Sequence, residues 1–377
     1  MTSSAPPFVR TLAALAIAVA PLHARGQLAA PQDLSSTGEV ATFCDHPTRI
    51  VQVQRLTSST EVVGIGPAGQ RWQHSLPPAP TGTALVHASI GGDAIVLRTA
   101  AAKGEAFLVT GERASPIQRG YPVAVDFANG HTMVAMRDER DRQEARWDTR
   151  VRIYDNRSGA IASEHVVADA DSYDTWTLER DWLFRLGHDG RHFYYIREGK
   201  DLVVVEVASG ARKSLPLREA GGGALKQQVY DAVLVSPDTA FVATGAGGGL
   251  YLLGQGGLKR MPVPEAVGIV ERLSYSPARQ EIGVVGQTGW AVMSRHGANW
   301  SPGESGTGLV RLTPDAQGWV VREPGSETPV RYFSAANGKY RVTREVTGLA
   351  RSATVACANG FGALVAEDGR LVWRAAR

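Results

Sequence analysis

VRIYDNRSGAIASEHV (Val151–Val166) and DLVVVEVASGARKSLPL (Asp201–Leu217) write one local pattern twice. Each has a strand-like run, a turn built from Asp, Asn, Ser, Ala or Gly, and a second strand. Period-two alternation on both sides of a Gly-bearing turn is the signal of a β-hairpin. Similar turns recur at Gly69, Gly111, Gly159, Gly210, Gly257, Gly297, Gly338 and Gly369, with successive spacings of 42, 48, 51, 47, 40, 41 and 31 residues. A period near four dozen residues predicts a propeller or a repeat array, because each repeat is a small sheet that hides its faces on its neighbours.

Working outward, four strands and their turns fill each of seven repeats, from GEVATFCD (38–45) to KYRVTRE (339–345). ANWS (298–301) is the weakest of these strands. ATVACAN, GALVAED and RLVWRAA leave the last repeat with three strands, for 31 in all. An open ring exposes an unpaired edge, so strands from both chain ends are expected to close it. The expected fold is therefore all-β: a single β-propeller over 38–377 with eight blades, or with seven if the ends fuse into one.

The start of the chain reads separately. Arg10 precedes the 12-residue apolar run TLAALAIAVAPL (Thr11–Leu22), and Ala24-Arg25-Gly26 places small residues where a signal peptidase looks. Residues 1–26 are expected to be a secretory signal peptide cleaved after Gly26, with Ala24 and Ala30 as alternative sites. Residues 27–37 have no periodicity and are expected to be a flexible leader. The apolar run is too short to stay in a bilayer, which takes about 20 residues, so no transmembrane segment is expected. Removing residues 1–26 lowers the formal charge from +3 to +1, with 38 basic groups against 37 acidic ones. That balance offers no footprint for nucleic acid. Abundant Arg, Ala and Gly suggest a GC-rich bacterium, and with the signal they place the protein in the periplasm or outside the cell.

The inner-strand endings VSPD (235–238), YSPA (275–278) and LTPD (312–315), together with the hairpins YDNRSG and VEVASG, give the chain a family likeness. It resembles secreted β-propeller proteins of the PQQ-like and WD40-like repeat type, over most of residues 38–377. The resemblance implies the architecture and no particular activity. The Gly-then-Trp pattern of PQQ-like repeats is approximated only by Gly69 with Trp72 and Gly369 with Trp373. The adjacent cysteine pair of quinone-dependent dehydrogenases is absent, and no cofactor is expected.

Cys44 and Cys357 are the only cysteines, in the first strand of the first repeat and the first strand of the last. In an oxidising compartment ring closure would bring them together as a disulfide. His188 and His192 flank Asp189-Gly190; a two-residue hairpin there sends their side chains to opposite faces, so no metal pair is expected. Asp169, Asp171 and Asp174 crowd one connector, but Asp174 and Arg180 stand where an EF-hand loop needs Gly and Glu. GESGTG (303–308) lacks the final Gly of a nucleophile elbow and has no helix after it. No catalytic residue is assigned.

DERDRQEARWDTR (138–150) is the densest charge run, and it separates the second and third strands of its repeat. The connectors at 169–176 and 218–228 follow, and such connections leave a four-stranded blade by the same end. Long connections in a compact domain are more often functional than incidental. Arg146, Trp147, Asp169, Asp171, Tyr173, Asp174 and Trp176 are therefore the expected contact residues for a partner protein or a glycan, on a monomer. The alternative is a propeller enzyme, a lyase or hydrolase of an extracellular polymer, with its site over the central channel.

Overall fold

The computed structural model describes residues 27–29, 40–46, 49–55, 59–65, 71–76, 84–88, 94–99, 106–110, 113–117, 121–141, 146–167, 183–197, 199–219, 222–223, 225–245, 249–296, 299–308, 311–315, 318–322, 330–336, 339–347, 349, 354–359, 362–367 and 370–375. Among these residues the regular structure is strand, apart from one 3-10 turn at Glu265–Val267.

After β1 (Gln27–Ala29), the first sheet holds β2 (Val40–His46), β3 (Arg49–Arg55), β4 (Thr60–Ile65) and β5 (Arg71–Leu76). The second holds β6 (Ala84–Ala88), β7 (Ala94–Thr99), β8 (Ala106–Thr110) and β9 (Ala114–Ile117). The third holds β10 (Tyr121–Ala128), β11 (His131–Asp141), β12 (Arg146–Asp155) and β13 (Ile161–Val167). The fourth holds β14 (Phe184–Leu186), β15 (His192–Arg197), β16 (Asp201–Glu206) and β17 (Arg212–Pro216). In the fifth are β18 (Val229–Ser236), β19 (Thr239–Thr244), β20 (Leu250–Gly254) and β21 (Gly257–Met261). In the sixth are β22 (Val270–Ser276), β23 (Glu281–Gly286), β24 (Gly289–His296) and β25 (Asn299–Thr307). The seventh comprises β26 (Arg311–Asp315), β27 (Gly318–Arg322), β28 (Val330–Ala336) and β29 (Lys339–Val346). The last contains β30 (Thr354–Asn359), β31 (Gly362–Glu367) and β32 (Arg370–Ala375), with β1 as its outer strand.

Every sheet is antiparallel, and from the second sheet to the last neighbouring sheets share buried faces, as the blades of a β-propeller do. Phe193 and Tyr195 of β15 pack on Met133, Ala135, Val151 and Ile153 of the third sheet. Tyr194, between them, points the other way onto Ala232, Val242 and Leu253 of the fifth. The same exchange joins the second sheet to the third through Leu108 and Phe127, and the fifth to the sixth through Phe241 and Val284. Trp290 and Trp319 join the sixth to the seventh, and Tyr332 and Val365 join the seventh to the last. Both faces of a strand are thus buried, which is why DLVVVEV and HFYYIRE read as continuous apolar runs. Each buried large side chain contributes about 1.5–3 kcal/mol. The first strands of successive sheets lie side by side, β2 with β6, β6 with β10, β10 with β14, β18 with β22 and β22 with β26; β2 also lies beside β30.

The two hairpins that opened the reading form as expected, with Gly159 and Gly210 at φ of +68° and +71°. Asp155 Oδ1 accepts the Ser158 amide in the first turn, and Glu206 accepts the Ser209 hydroxyl in the second. Three details differ from the sequence reading: the start of the chain's described part, the extent of the weak ANWS strand, and the width of one hairpin. Gln27–Ala29, inside the stretch expected to be a leader, pairs antiparallel with Val372, Leu371 and Arg370 of β32. The weak ANWS strand is the nine-residue β25, held by Trp300, whose ring meets Phe241 edge-on at 4.8 Å. GESGTG runs mostly within that strand, paired with β24, and forms no elbow. The Asp189-Gly190 hairpin is wider than two residues: the Gly187 amide donates to the His192 carbonyl, leaving 188–191 as the turn.

Candidate functional site

The first strand of each sheet is an edge strand facing the propeller axis, so alternate amides and carbonyls along it have no ladder partner. At two sheet junctions an aspartate supplies one. Asp126 on β10 accepts its neighbour's amide, Phe127 N, at 2.9 Å through Oδ1. Its Oδ2 accepts Leu186 N of β14 at 2.8 Å. The Gly187 amide is spent on His192 across the ladder, so by alternation the Leu186 amide faces the axis. Asp231 on β18 repeats the arrangement: Ala232 N donates to Oδ1 and Leu273 N of β22 donates to Oδ2, both at 2.9 Å.

Arg185 links the two pins. Its Nη2 donates to Asp231 Oδ1 at 3.4 Å, and Asp126 lies within its field on the other side. The Arg185 side chain keeps 41% of its surface accessible, whereas that of Asp231 keeps 8%. The Asp231 charge foremost, with Asp126, holds the Arg185 proton more firmly than usual. Burial pushes the Asp126 carboxyl up, against the opposing pull of Arg185 and of the two amides, and the Asp231 charge adds to the rise. Tyr194, whose hydroxyl donates to the Ala232 carbonyl at 3.1 Å, is also pushed up by burial. The set gathers two carboxyls and one guanidinium beside an arrangement of fixed amides.

A second polar cluster sits between the sixth and seventh sheets. Glu281, 4% exposed, accepts Trp319 Nε1 at 2.7 Å and both Nε and Nη2 of Arg279, at 2.9 and 3.1 Å. Tyr340 and Ser294 share a 2.8 Å hydrogen bond next to it. Every group is paired within a closed junction, so the cluster serves packing.

Of the residues expected to make contacts, Asp169, Asp171, Tyr173, Asp174 and Trp176 lie outside the described residues, as do residues 1–26. Arg146 and Trp147 are on β12, and Cys44 and Cys357 on β2 and β30, with only their backbone described. The charge run is largely strand. Asp138 pairs with Asp148, Glu139 with Trp147 and Asp141 with Arg146, beyond Arg137, the last partner of β10, and Thr149, the last partner of β13. Residues 138–141 and 146–148 thus pair as a two-stranded arm, with no further strand beside them among the described residues. Position 147 is in phase with Thr149, Val151 and Ile153. The 218–228 connector behaves differently: Arg218 O accepts Leu258 N at 2.6 Å, and Leu225 packs on the core between the fourth and fifth sheets. His188 does not meet His192; its ring lies against Tyr275 at 5.0 Å, and His192 Nδ1 is 3.1 Å from Asp189.

Asp126, Arg185 and Asp231 escaped the sequence reading, although a signal was there. A lone Asp interrupts the apolar runs AVDFA and YDAVL, and an Arg-Leu pair recurs in three inner strands at 185–186, 272–273 and 311–312.

No protein-family model matches the chain. No curated protein matches it in sequence. Among solved structures it is similar to Pyrococcus horikoshii acylaminoacyl peptidase, at 8% identity and TM-score 0.45, over 80% of this chain and 52% of that one. It is similar to a prolyl endopeptidase at 14% identity and TM-score 0.49, over 97% of this chain and 60% of the other. It is also similar to the Myceliophteria thermophila Cps50 (Swd1) β-propeller domain, at 12% identity and TM-score 0.44, over 78% of this chain and 96% of that one. The chain spans little more than half the length of the two peptidases, and these likenesses concern the fold alone.

Proposed function

We propose that the chain is an exported, non-catalytic β-propeller that binds a partner protein or a glycan through the face from which the 138–148 arm projects. The arm carries the reading. An extension of two strands without lateral neighbours adds nothing to its own sheet's ladder, and an unpartnered ribbon rich in both charges with a Trp suits recognition better than packing. What sets this hairpin apart is the length of its strands, β11 (His131–Asp141) and β12 (Arg146–Asp155) running past β10 and β13 rather than ending level with them. Arg146 and Trp147 on the arm, with Asp169, Asp171, Tyr173, Asp174 and Trp176 in the next connector, are the proposed contact residues.

The scaffold in this reading is a ring of eight blades of the WD40-like or PQQ-like type, monomeric and periplasmic or secreted after removal of residues 1–26. The order of the sheets, the pairing of β1 with β32 and the neighbourhood of β2 and β30 support closure. The same neighbourhood supports a Cys44–Cys357 disulfide, since these two strands carry the cysteines. A second reading, a lyase or hydrolase acting at the central channel, is favoured by the raised carboxyl of Asp126 beside Arg185.

Wild-type and Trp147→Ala protein, applied in parallel to a glycan array and to periplasmic extract, test the first reading. Binding of an identified ligand should weaken by about 2 kcal/mol or more with the melting temperature unchanged. Unchanged binding with a lowered melting temperature assigns the arm to the fold.

A further inference from the structure

We propose that the mature chain begins at Gln27 and that this residue is modified, its side chain closing on its own amino group as pyroglutamate. The inference rests on the reading that a signal segment is removed on export. The sequence leaves three cleavage positions open, after Ala24, Gly26 or Ala30. Strand pairing separates them. β1 is Gln27–Ala29, and its register sets Gln27 opposite Val372, Leu28 opposite Leu371 and Ala29 opposite Arg370. Cleavage after Ala30 discards β1 and strips β32 of that partner, leaving an open edge on the last sheet. Cleavage after Ala24 keeps Arg25, and the same register continued by two residues sets it opposite Arg374, an opposition of like charges that destabilises a strand pair. Cleavage after Gly26 keeps β1 whole and puts nothing in front of it.

That cut makes a glutamine amino-terminal, and the chemistry follows from the residue. The α-amino nitrogen adds to the side-chain Cδ, the bond from Cδ to the side-chain nitrogen breaks, and ammonia leaves. The product is a lactam ring, formed without an oxidant or a cofactor. An α-amino group ordinarily titrates at about 7.7–8.0, so part of it is unprotonated and nucleophilic near neutral pH. Electrostatics favours the product at this place in the fold. Arg370 and Arg374 lie two residues to either side of Val372, about 7 Å along the strand, so an α-ammonium at Gln27 adds a third positive charge to a basic edge. The lactam is neutral there. It also keeps an N–H donor, and it closes the end of the strand that completes the last sheet to aminopeptidases.

Intact-mass and amino-terminal peptide measurements test the proposal, on full-length-expressed protein recovered from periplasm or medium and kept near neutral pH, with Gln27→Ala alongside. The wild type should have the mass of residues 27–377 less one ammonia, with the loss in its first peptide. Gln27→Ala should begin at the same position and show no such loss. A wild type that begins at an unmodified Gln27 overturns the cyclisation and leaves the export reading standing. Loss of ammonia that persists in Gln27→Ala overturns it as well, by moving the loss to another residue. A chain that begins at Arg25 or Pro31 overturns the proposal without touching export, whereas retention of residues 1–26 in the recovered protein overturns both.

Discussion

The Asp231 carboxylate and the Leu273 amide, on the inner strands of neighbouring sheets, meet at 2.9 Å. The same carboxylate holds Ala232 N and Arg185, so one side chain satisfies two edge amides and one guanidinium across three sheets.

Asp231→Ala should therefore cost more than the loss of a single hydrogen bond. Breaking a buried pair by removing one partner costs about 3–5 kcal/mol, and the water already reaching Arg185 argues for the lower end. Urea denaturation of the two proteins at neutral pH measures the difference; a loss below about 1 kcal/mol means that solvent replaces the carboxylate at all three donors.

Asp126 should show the reverse dependence on pH from an ordinary surface carboxylate. Its folded-state pKa is raised, so the stability it contributes is fully present below the unfolded value of about 3.9 and is lost as pH rises through the folded value. Relative to Asp126→Asn, the wild type should become less stable from about pH 4 toward neutrality. Paired urea melts at several pH values give this difference directly, and a wild type that gains on the variant as pH rises contradicts the assignment.

Trp319→Phe keeps the ring in the core of the sixth and seventh sheets and removes the donor to Glu281 Oε2. Arg279 still pairs with the carboxylate, so the expected loss is about 1.5–3 kcal/mol, that of one hydrogen bond to a charged group. A melting temperature equal to that of the wild type would show that Arg279 alone meets the needs of the buried charge.

If Cys44 and Cys357 are bonded as proposed, the native oxidised protein should titrate no free thiol. Reduction should lower stability by less than the loop-entropy ceiling of roughly 6 kcal/mol, because residual structure in the unfolded chain reduces the entropy that the bond removes. Two titrating thiols in the native protein would remove the bond from the account.

Much of this fold was legible because each sheet writes itself locally. Turn glycines, period-two strands and a repeat near four dozen residues located the hairpins, and antiparallel neighbours in sequence became neighbours in space. Legibility failed where a strand's partner lay far along the chain. QLA at 27–29 is too short to carry a period, and it is a strand only because β32 offers an unpaired edge. ANWS looked weak until Phe241, some 60 residues earlier, supplied the surface against which Trp300 packs.

The candidate sites divide along the same line. The sequence by itself determined where the charged arm begins, since a dense charge run between two strands of one hairpin is a local feature. That the run continues the ladder as a free ribbon depended on how far its flanking strands extend, which pairing alone decides. Asp126, Arg185 and Asp231 span 106 positions of the chain (126 to 231), and nothing local marks them as a group. Only the stacking of sheets around an axis placed their edge strands side by side, and only there did unpaired amides give the aspartates a purpose. Repeat architecture is encoded in short-range pattern, whereas a site assembled from one residue per repeat exists only once the repeats are packed.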